Sequence, residues 1–351
     1  MILKKDHKIP LDKFINYCLY DKKNGYYMNS NPFGISGDFI TAPNISRLFS
    51  EMIAIWTISF WESLGSPKKF NLIELGAGNG EMMKVMIESF KKFPSFISCC
   101  NILIYEKSPK LIKEQKKNIK FKNIKWLANL KKLGKYPNIF LANEFFDAIP
   151  IKQFLKSKDS WFEKFVQISS NKKAKFINKK VNIKKIEKKI NLKISNKQNF
   201  IEYSPLGLKY LNDIFRLIKI NNGGILIIDY GYFDEKMQDT LQAIYKQKYS
   251  KVLENIGKSD ITYNINFNFV EKIVKNFKEL NVNLTSQKNF LIKLGILERA
   301  EIIAKNKNFS EKSDIFYRLK RLIDKKEMGN LFKVMLIKKT NNKSQIGFEI
   351  V

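Results

Sequence analysis

Residues 72–81 read LIELGAGNGE. An apolar run closes on Glu74 and Leu75, glycines follow at every second position (Gly76, Gly78, Gly80), and a helical pattern starts at Glu81. A strand, a glycine turn and a helix N-terminus together suit the polar end of a nucleotide-like ligand. Bare backbone allows close approach, and the first N–H groups of the helix point outward. The dinucleotide fingerprint is G-x-G-x-x-G, with its third glycine set by helix–strand packing. Here the spacing is G-x-G-x-G, which suits a wider loop curling around a nucleoside and an amino-acid moiety. A glycine-rich turn with no ligand is the plain alternative.

The pattern around this turn alternates. Strands are expected at 71–75, 102–106, about 124–127 and 138–142, apolar on both faces as in a parallel sheet, with helices at 80–92 and 109–119 between them. That series predicts a doubly wound α/β fold. A helix over 44–63, capped by Asn44 or Thr41, precedes it. After a lysine-rich stretch expected to form short strands, a helix at 204–219 and the strand ILIIDYG resume the pattern. A helix at 267–279, a strand near 289–294, short helices over 296–325 and a last strand, FKVMLIKK, complete it. The expected organisation is an N-terminal helical and loop extension over 1–65, a core from 66–150 and 201–351, and a β-rich, lysine-rich insertion over 151–200.

With 351 residues, 44% of them hydrophobic, the chain can bury a sizeable core. No apolar run reaches membrane-spanning length; MIAIWTISFW, residues 52–61, suits a buried helix. No apolar region follows Lys4 and Lys5, which points to a cytoplasmic protein. Cys18, Cys99 and Cys100 have no metal-binding spacing. His7 is the only histidine, which excludes a Ser–His–Asp triad and an H-E-x-x-H zinc site. The net charge of +31 allows nonspecific polyanion binding. It rests almost wholly on lysine, and the basic residue favoured for bidentate phosphate and base recognition is arginine.

In a sheet of this kind the ligand lies over the C-terminal strand ends. Glu74 closes the first strand beside the glycines. Glu106 closes the second, where a carboxylate can accept both hydroxyls of a ribose. ANEFFDAIP places Asn143, Glu144 and Asp147 at the end of the fourth, and Asp229 lies in IIDYG. Each acid taken singly is equally well a cap or turn residue.

These segments resemble the MidA family of class I S-adenosylmethionine-dependent methyltransferases, which includes the mitochondrial complex I assembly methyltransferase. The likeness runs from CLYDKKNGYYM and FGISGDFITAPNIS through LIELGAGNG, ANEFFDAIP and LIIDYG to DTLQA, SDIT and LIKLGILERA. It implies a seven-stranded Rossmann-like sheet, S-adenosylmethionine as cofactor, and methylation of a protein arginine linked to respiratory complex I. Ala77 and Asn79 stand where the family often has Pro and Arg, and Tyr232 where a His is common. Glu74, Gly76, Gly78, Gly80 and Glu106 are the expected cofactor residues. Gly37 and Asp38 join them from GISGDFITAP, read either as a mobile cover or as a loop packed on the following helix. Glu144 and Asp147, three apart and able to face one way on a helical turn, are the expected guanidinium clamp, with Asn143 beside them. The competing readings are an RNA or DNA base methyltransferase and a noncatalytic assembly factor retaining the fold. The N/D-P-P-Y/F loop of base-methylating enzymes is replaced here by NEFF.

Overall fold

Seven strands form the central sheet of the computed structural model, which describes residues 7–29, 41–130, 133–169 and 173–348. They are β1 (Phe70–Leu75), β2 (Cys100–Tyr105), β3 (Ile124–Leu127), β4 (Asn138–Asn143), β5 (Gly223–Tyr232), β6 (Leu280–Ser286) and β7 (Phe332–Lys339). Their spatial order is β6-β7-β5-β4-β1-β2-β3. Strands β1 to β5 pair in parallel, whereas β7 runs antiparallel to both β5 and β6. A short strand, Ile265–Asn266, pairs with Gly231–Tyr232 off this path. The sheet is the mostly parallel, Rossmann-like arrangement that the sequence predicts.

Pleat alternation sends successive side chains to opposite faces. Ile73, Phe140, Ile225 and Ile227 pack on one side with the helices Pro205–Asn221 and Phe267–Val274. Leu72, Leu141, Leu226 and Ile228 pack on the other with the helices Arg47–Ser63 and Glu81–Phe90. Both faces are covered, which is why the strands read as unbroken apolar runs.

Several elements differ from the sequence reading. The helix expected over 44–63 is a short turn, Ala42–Ile45, followed by Arg47–Ser63, whose cap is Ser46, accepting from Leu48 N at 3.3 Å, and not Asn44 or Thr41. The strand expected near 289–294 is the helix Gln287–Lys293, and the strand precedes it as β6. In β6 the sequence LNVNLTS lies at the sheet edge with only Leu280 buried, so its apolar signal is thinned by Asn281 and Asn283. The helix expected over 267–279 ends at Val274.

The segment after β4 forms four strands, Lys152–Ser157, Ser160–Ile168, Ala174–Val181 and Phe200–Tyr203. Lys8–Pro10 joins them in one antiparallel sheet, so the N-terminal segment is tied to the insertion, and the sheet runs past residue 200. Part of the lysine run is a helix, Ile183–Ile190, capped by Asn182. Its isoleucines lean on the core while Lys184, Lys185, Lys188 and Lys189 face solvent. A three-stranded sheet over Gln242–Tyr245, Lys248–Ser250 and Asp260–Thr262 was not expected. No described helix is long and apolar enough to cross a membrane.

Glu51 pins the helix Arg47–Ser63 to Ile296–Ala304. It is 7% exposed and accepts from Arg47 Nε at 2.9 Å and Arg299 Nε at 2.8 Å. Burial alone pushes its carboxyl up, but the two guanidiniums outweigh burial and hold it below the usual value. Glu51→Ala is expected to cost about 1.5–2 kcal/mol in urea unfolding at neutral pH, the low end for hydrogen bonds to a charged group, because the two guanidiniums left behind reach water. Because the native carboxyl is held low, the gap between wild type and variant should narrow as pH falls below about 4. A gap that widens there contradicts the assignment.

Candidate active site

The glycine turn leaves β1 with three left-handed residues, Gly76 at φ 67°, Gly78 at φ 53° and Gly80 at φ 84°. A Cβ on Gly76 would lie 2.8 Å from Phe145 Cδ2, so this glycine lets the turn close on the β4 loop. A Cβ on Gly80 would meet Ile119 at 3.0 Å and Gln115 Cα at 3.4 Å. The third glycine therefore serves helix packing, despite the different spacing. Gln115 has no exposed surface and joins the turn to the next strand end: its Nε2 donates to Gly78 O at 2.9 Å and to Glu106 Oε2 at 3.3 Å. Asn79 bridges outward to Asn44 Oδ1 at 2.9 Å.

Glu106 follows β2 directly. Its Oε1 accepts the N–H groups of Lys107 and Ser108 at 2.8 and 2.9 Å, which aims the carboxylate into the cleft. Burial raises its proton affinity against these bonds. Glu74 is 3% exposed, its Oε2 has no hydrogen-bond partner, and burial, then Glu106, pushes its carboxyl up to about 8. It lines a small cavity beside the glycine turn with Asn143, whose Oδ1 also lacks a partner. A buried carboxyl and an amide, each with an oxygen lacking a donor, next to a bare backbone turn, suit a ligand whose positive charge would favour the ionised acid.

Glu144 lines this cavity and the adjoining main cleft of about 870 Å³, part of it open to solvent. Its backbone is left-handed at φ 50° and its N–H donates to Ile228 O at 2.9 Å. Residues 144–147 are consequently a turn, not the helical turn from which their spacing was first argued. Both Glu144 oxygens are engaged. Oε2 accepts from Tyr230 Oη at 2.9 Å, and Oε1 from Asn143 Nδ2 at 3.3 Å and Ala42 N at 3.4 Å. Burial raises its carboxyl despite these bonds.

Asp147 is 4% exposed and lines the main cleft, and its Oδ1 has no partner. Burial, then Asp229, Glu144 and Asp260, holds its carboxyl well above the usual range. Asp229 does not line the cleft; it is turned onto backbone N–H groups of the loop. Gly37 and Asp38 lie outside the described residues.

Among the cleft residues given no role from sequence are Tyr20, Tyr27, Tyr210, Tyr230 and Asp260. Tyr20 and Tyr27 of CLYDKKNGYYM, Tyr230 of LIIDYG and Asp260 of SDIT stood in the family-like segments without an assigned chemistry, and Tyr210 stood outside them.

Comparison with known proteins follows the same lines. A family model for S-adenosyl-L-methionine-dependent methyltransferases matches residues 52–285. A relative in Xenopus tropicalis, the mitochondrial protein arginine methyltransferase NDUFAF7, is 27% identical over 94% of this chain and 82% of its own length. The human protein of that name is 26% identical over 94% of this chain and 80% of its own. A solved structure from Burkholderia thailandensis with S-adenosyl-homocysteine bound superposes with a TM-score of 0.80 at 20% identity, covering 98% of this chain and 89% of that one. That likeness concerns the fold.

Two binding measurements test the site. Glu106→Ala should weaken S-adenosylmethionine about tenfold to a hundredfold, the range for hydrogen bonds to a charged group; unchanged affinity by calorimetry places the ribose elsewhere. If Glu74 must be ionised to face a cationic ligand, affinity should rise with pH by about tenfold per unit and level off near 8. Glu74→Gln should flatten that profile, and a wild-type profile flat from pH 6 to 9 rejects the role.

Proposed function

The chain belongs to this family of S-adenosylmethionine-dependent methyltransferases, and from that premise we propose that it methylates an arginine of a protein, with a subunit of respiratory complex I as the candidate target. The relatives' name, protein arginine methyltransferase, supports the substrate class. The observation that carries the reading is the Asp147 carboxylate, buried, unpartnered at Oδ1 and lining the same cleft as Glu106 and the glycine turn.

Glu74, Gly76, Gly78, Glu106 and Asn143 are the residues that would hold the cofactor. S-adenosylmethionine supplies a methyl group on a sulfonium, already activated for transfer. The work left to the chain is to orient a nitrogen and exclude water. An arginine guanidinium stays protonated at all ordinary pH, with a pKa above about 12. Carboxylates must therefore hold it and localise a lone pair on the reacting nitrogen. Asp147 Oδ1, which has no partner inside the protein, would accept from it, and Glu144, fixed by Tyr230 and Asn143, borders both the cavity beside the glycine turn and the cleft. Asn143 positions Glu144 and does not need to touch the substrate. A buried carboxyl with raised proton affinity also suits the proton that the nitrogen releases on methylation.

Glu144→Gln and Asp147→Asn should each lower turnover on the order of 10²–10³-fold, as for loss of one charge-stabilising group in a buried site, with cofactor affinity intact. The assay is transfer of labelled methyl to complex I subunits of the host, with the modified residue located by mass spectrometry. Label on RNA and none on protein arginine would replace the proposal with the base-methylating reading. Near-normal turnover in both variants would remove the clamp.

A further inference from the structure

Asp260 comes from the three-stranded sheet over 242–262, outside both the central sheet and the insertion. It is 4% exposed, yet it lines the main cleft. Tyr27 Oη donates to its Oδ1 at 2.9 Å. The Tyr27 ring stacks on Tyr20 with centroids 5.6 Å apart, and Tyr20 Oη donates to Ala148 O at 3.0 Å. Tyr263 N donates to Asp147 O at 3.2 Å. The strand carrying Asp260, the N-terminal tyrosines and the turn carrying Asp147 are thus bonded to one another. Such a set of contacts sets a second acid on the same cleft as the first.

Two buried carboxylates on one cleft repel: burial, then Asp229 and Glu144, and after them Asp260, raise the proton affinity of Asp147. A cation lying between them relieves that cost. Asp147 lines the cleft and its buried Oδ1 has no partner inside the protein, so this acid lacks a donor that a cation could supply. Glu144 cannot complete it freely, since both of its oxygens already accept hydrogen bonds. The shape of the cation follows from the acceptors and the wall. An ammonium is a compact point charge with three donors, satisfied from one side. A guanidinium is planar, carries five N–H donors along its edges and stacks on aromatic faces. Two carboxylates from separate elements, next to the stacked rings of Tyr20 and Tyr27, match the second.

We infer that Asp260, held by Tyr27, is a specificity-determining residue of the substrate cleft, which accepts from a second nitrogen of the guanidinium and selects arginine over lysine. This rests on the arginine reading above. It gives the N-terminal segment a part in substrate choice that the glycine turn and the central sheet do not supply.

The test uses the full chain saturated with S-adenosylhomocysteine, titrated with N-acetylarginine amide and N-acetyllysine amide and followed by ligand-observed NMR. Wild type should prefer the arginine probe. Asp260→Asn should lose about tenfold or more of that preference, the range for a hydrogen bond to a charged group. Tyr27→Phe should lose a smaller part of it. Unchanged affinity for S-adenosylhomocysteine shows that each variant is folded. A merely structural role would weaken both probes alike and leave their ratio unmoved, which overturns the inference. Wild type without preference for arginine overturns the arginine reading itself, and this inference with it. If Asp260→Asn does not fold, Tyr27→Phe decides, and a wild-type ratio in that variant rejects the role of the pair.

Discussion

The arrangement of this site depends on one carboxyl group turned away from the cleft. Asp229 has no exposed surface and accepts three backbone N–H groups, those of Phe146 at 3.0 Å, Asp147 at 3.3 Å and Tyr230 at 3.0 Å. It sits on β5, while Phe146 and Asp147 belong to the turn that leaves β4. A buried carboxylate is expensive unless donors surround it, and backbone donors are the ones a turn can offer. In satisfying itself Asp229 fixes the turn's path. That path accompanies the left-handed backbone of Glu144 and the position of Asp147 at the cleft. The next residue along β5, Tyr230, then reaches Glu144 with its hydroxyl at 2.9 Å. Three acids within a few residues of two strand ends therefore have separate duties: one holds backbone, one is held, and one is left open.

The rest of the cleft is built from elements that the central sheet does not contain. The helix Leu11–Tyr20 and the short helix Tyr26–Asn29 bring Tyr20 and Tyr27 over the strand ends, and the strand Lys8–Pro10 anchors that segment to the insertion. Tyr105 and Tyr210 share a hydrogen bond at 2.9 Å on the other side. Lys107 at the mouth places its ammonium 5.8 Å from the ring centre of Tyr20 and 5.3 Å from that of Tyr210. An acidic, aromatic cleft inside a chain of net charge +31 is a local reversal of sign.

The central sheet was legible because parallel strands covered on both faces leave unbroken apolar runs, and because the glycine turn marks one strand end. Legibility failed where burial is partial. The sheet edge at Leu280–Ser286 carries alternate asparagines, and the helix after it, buried through Phe290 and Leu291, read as the strand. Among the site residues, Glu74, Glu106, Asn143, Glu144 and Asp147 converge where the strand-end rule put them. The reason first given for Glu144 and Asp147, a shared helical turn, does not hold; tertiary hydrogen bonds to Asp229 bring Asp147 into place. Asp260 and the tyrosines were hidden by distance along the chain. A hydrogen bond between residues 27 and 260 leaves no local pattern in either segment.

Pleat parity explains why the acids that did converge divide between two purposes. In β1, Phe70, Leu72 and Glu74 share a face, and in β4 Ile139, Leu141 and Asn143 share the same one, toward the helices Arg47–Ser63 and Glu81–Phe90. That is the side on which the glycine turn opens, so Glu74 and Asn143 meet there with oxygens lacking internal partners. In β5 the sequence reaches its acid one step out of phase: Ile225, Ile227 and Asp229 face the opposite side. Asp229 is thereby removed from the small cavity beside the glycine turn and delivered to the loop backbone. Of the acids among the described residues, Glu144 alone, just past the end of β4 and freed from parity by its left-handed φ, lines both cavities, beside Thr41, Gly76 and Gly78. Two-residue alternation does the sorting, and one departure from it joins the sorted halves into a single site.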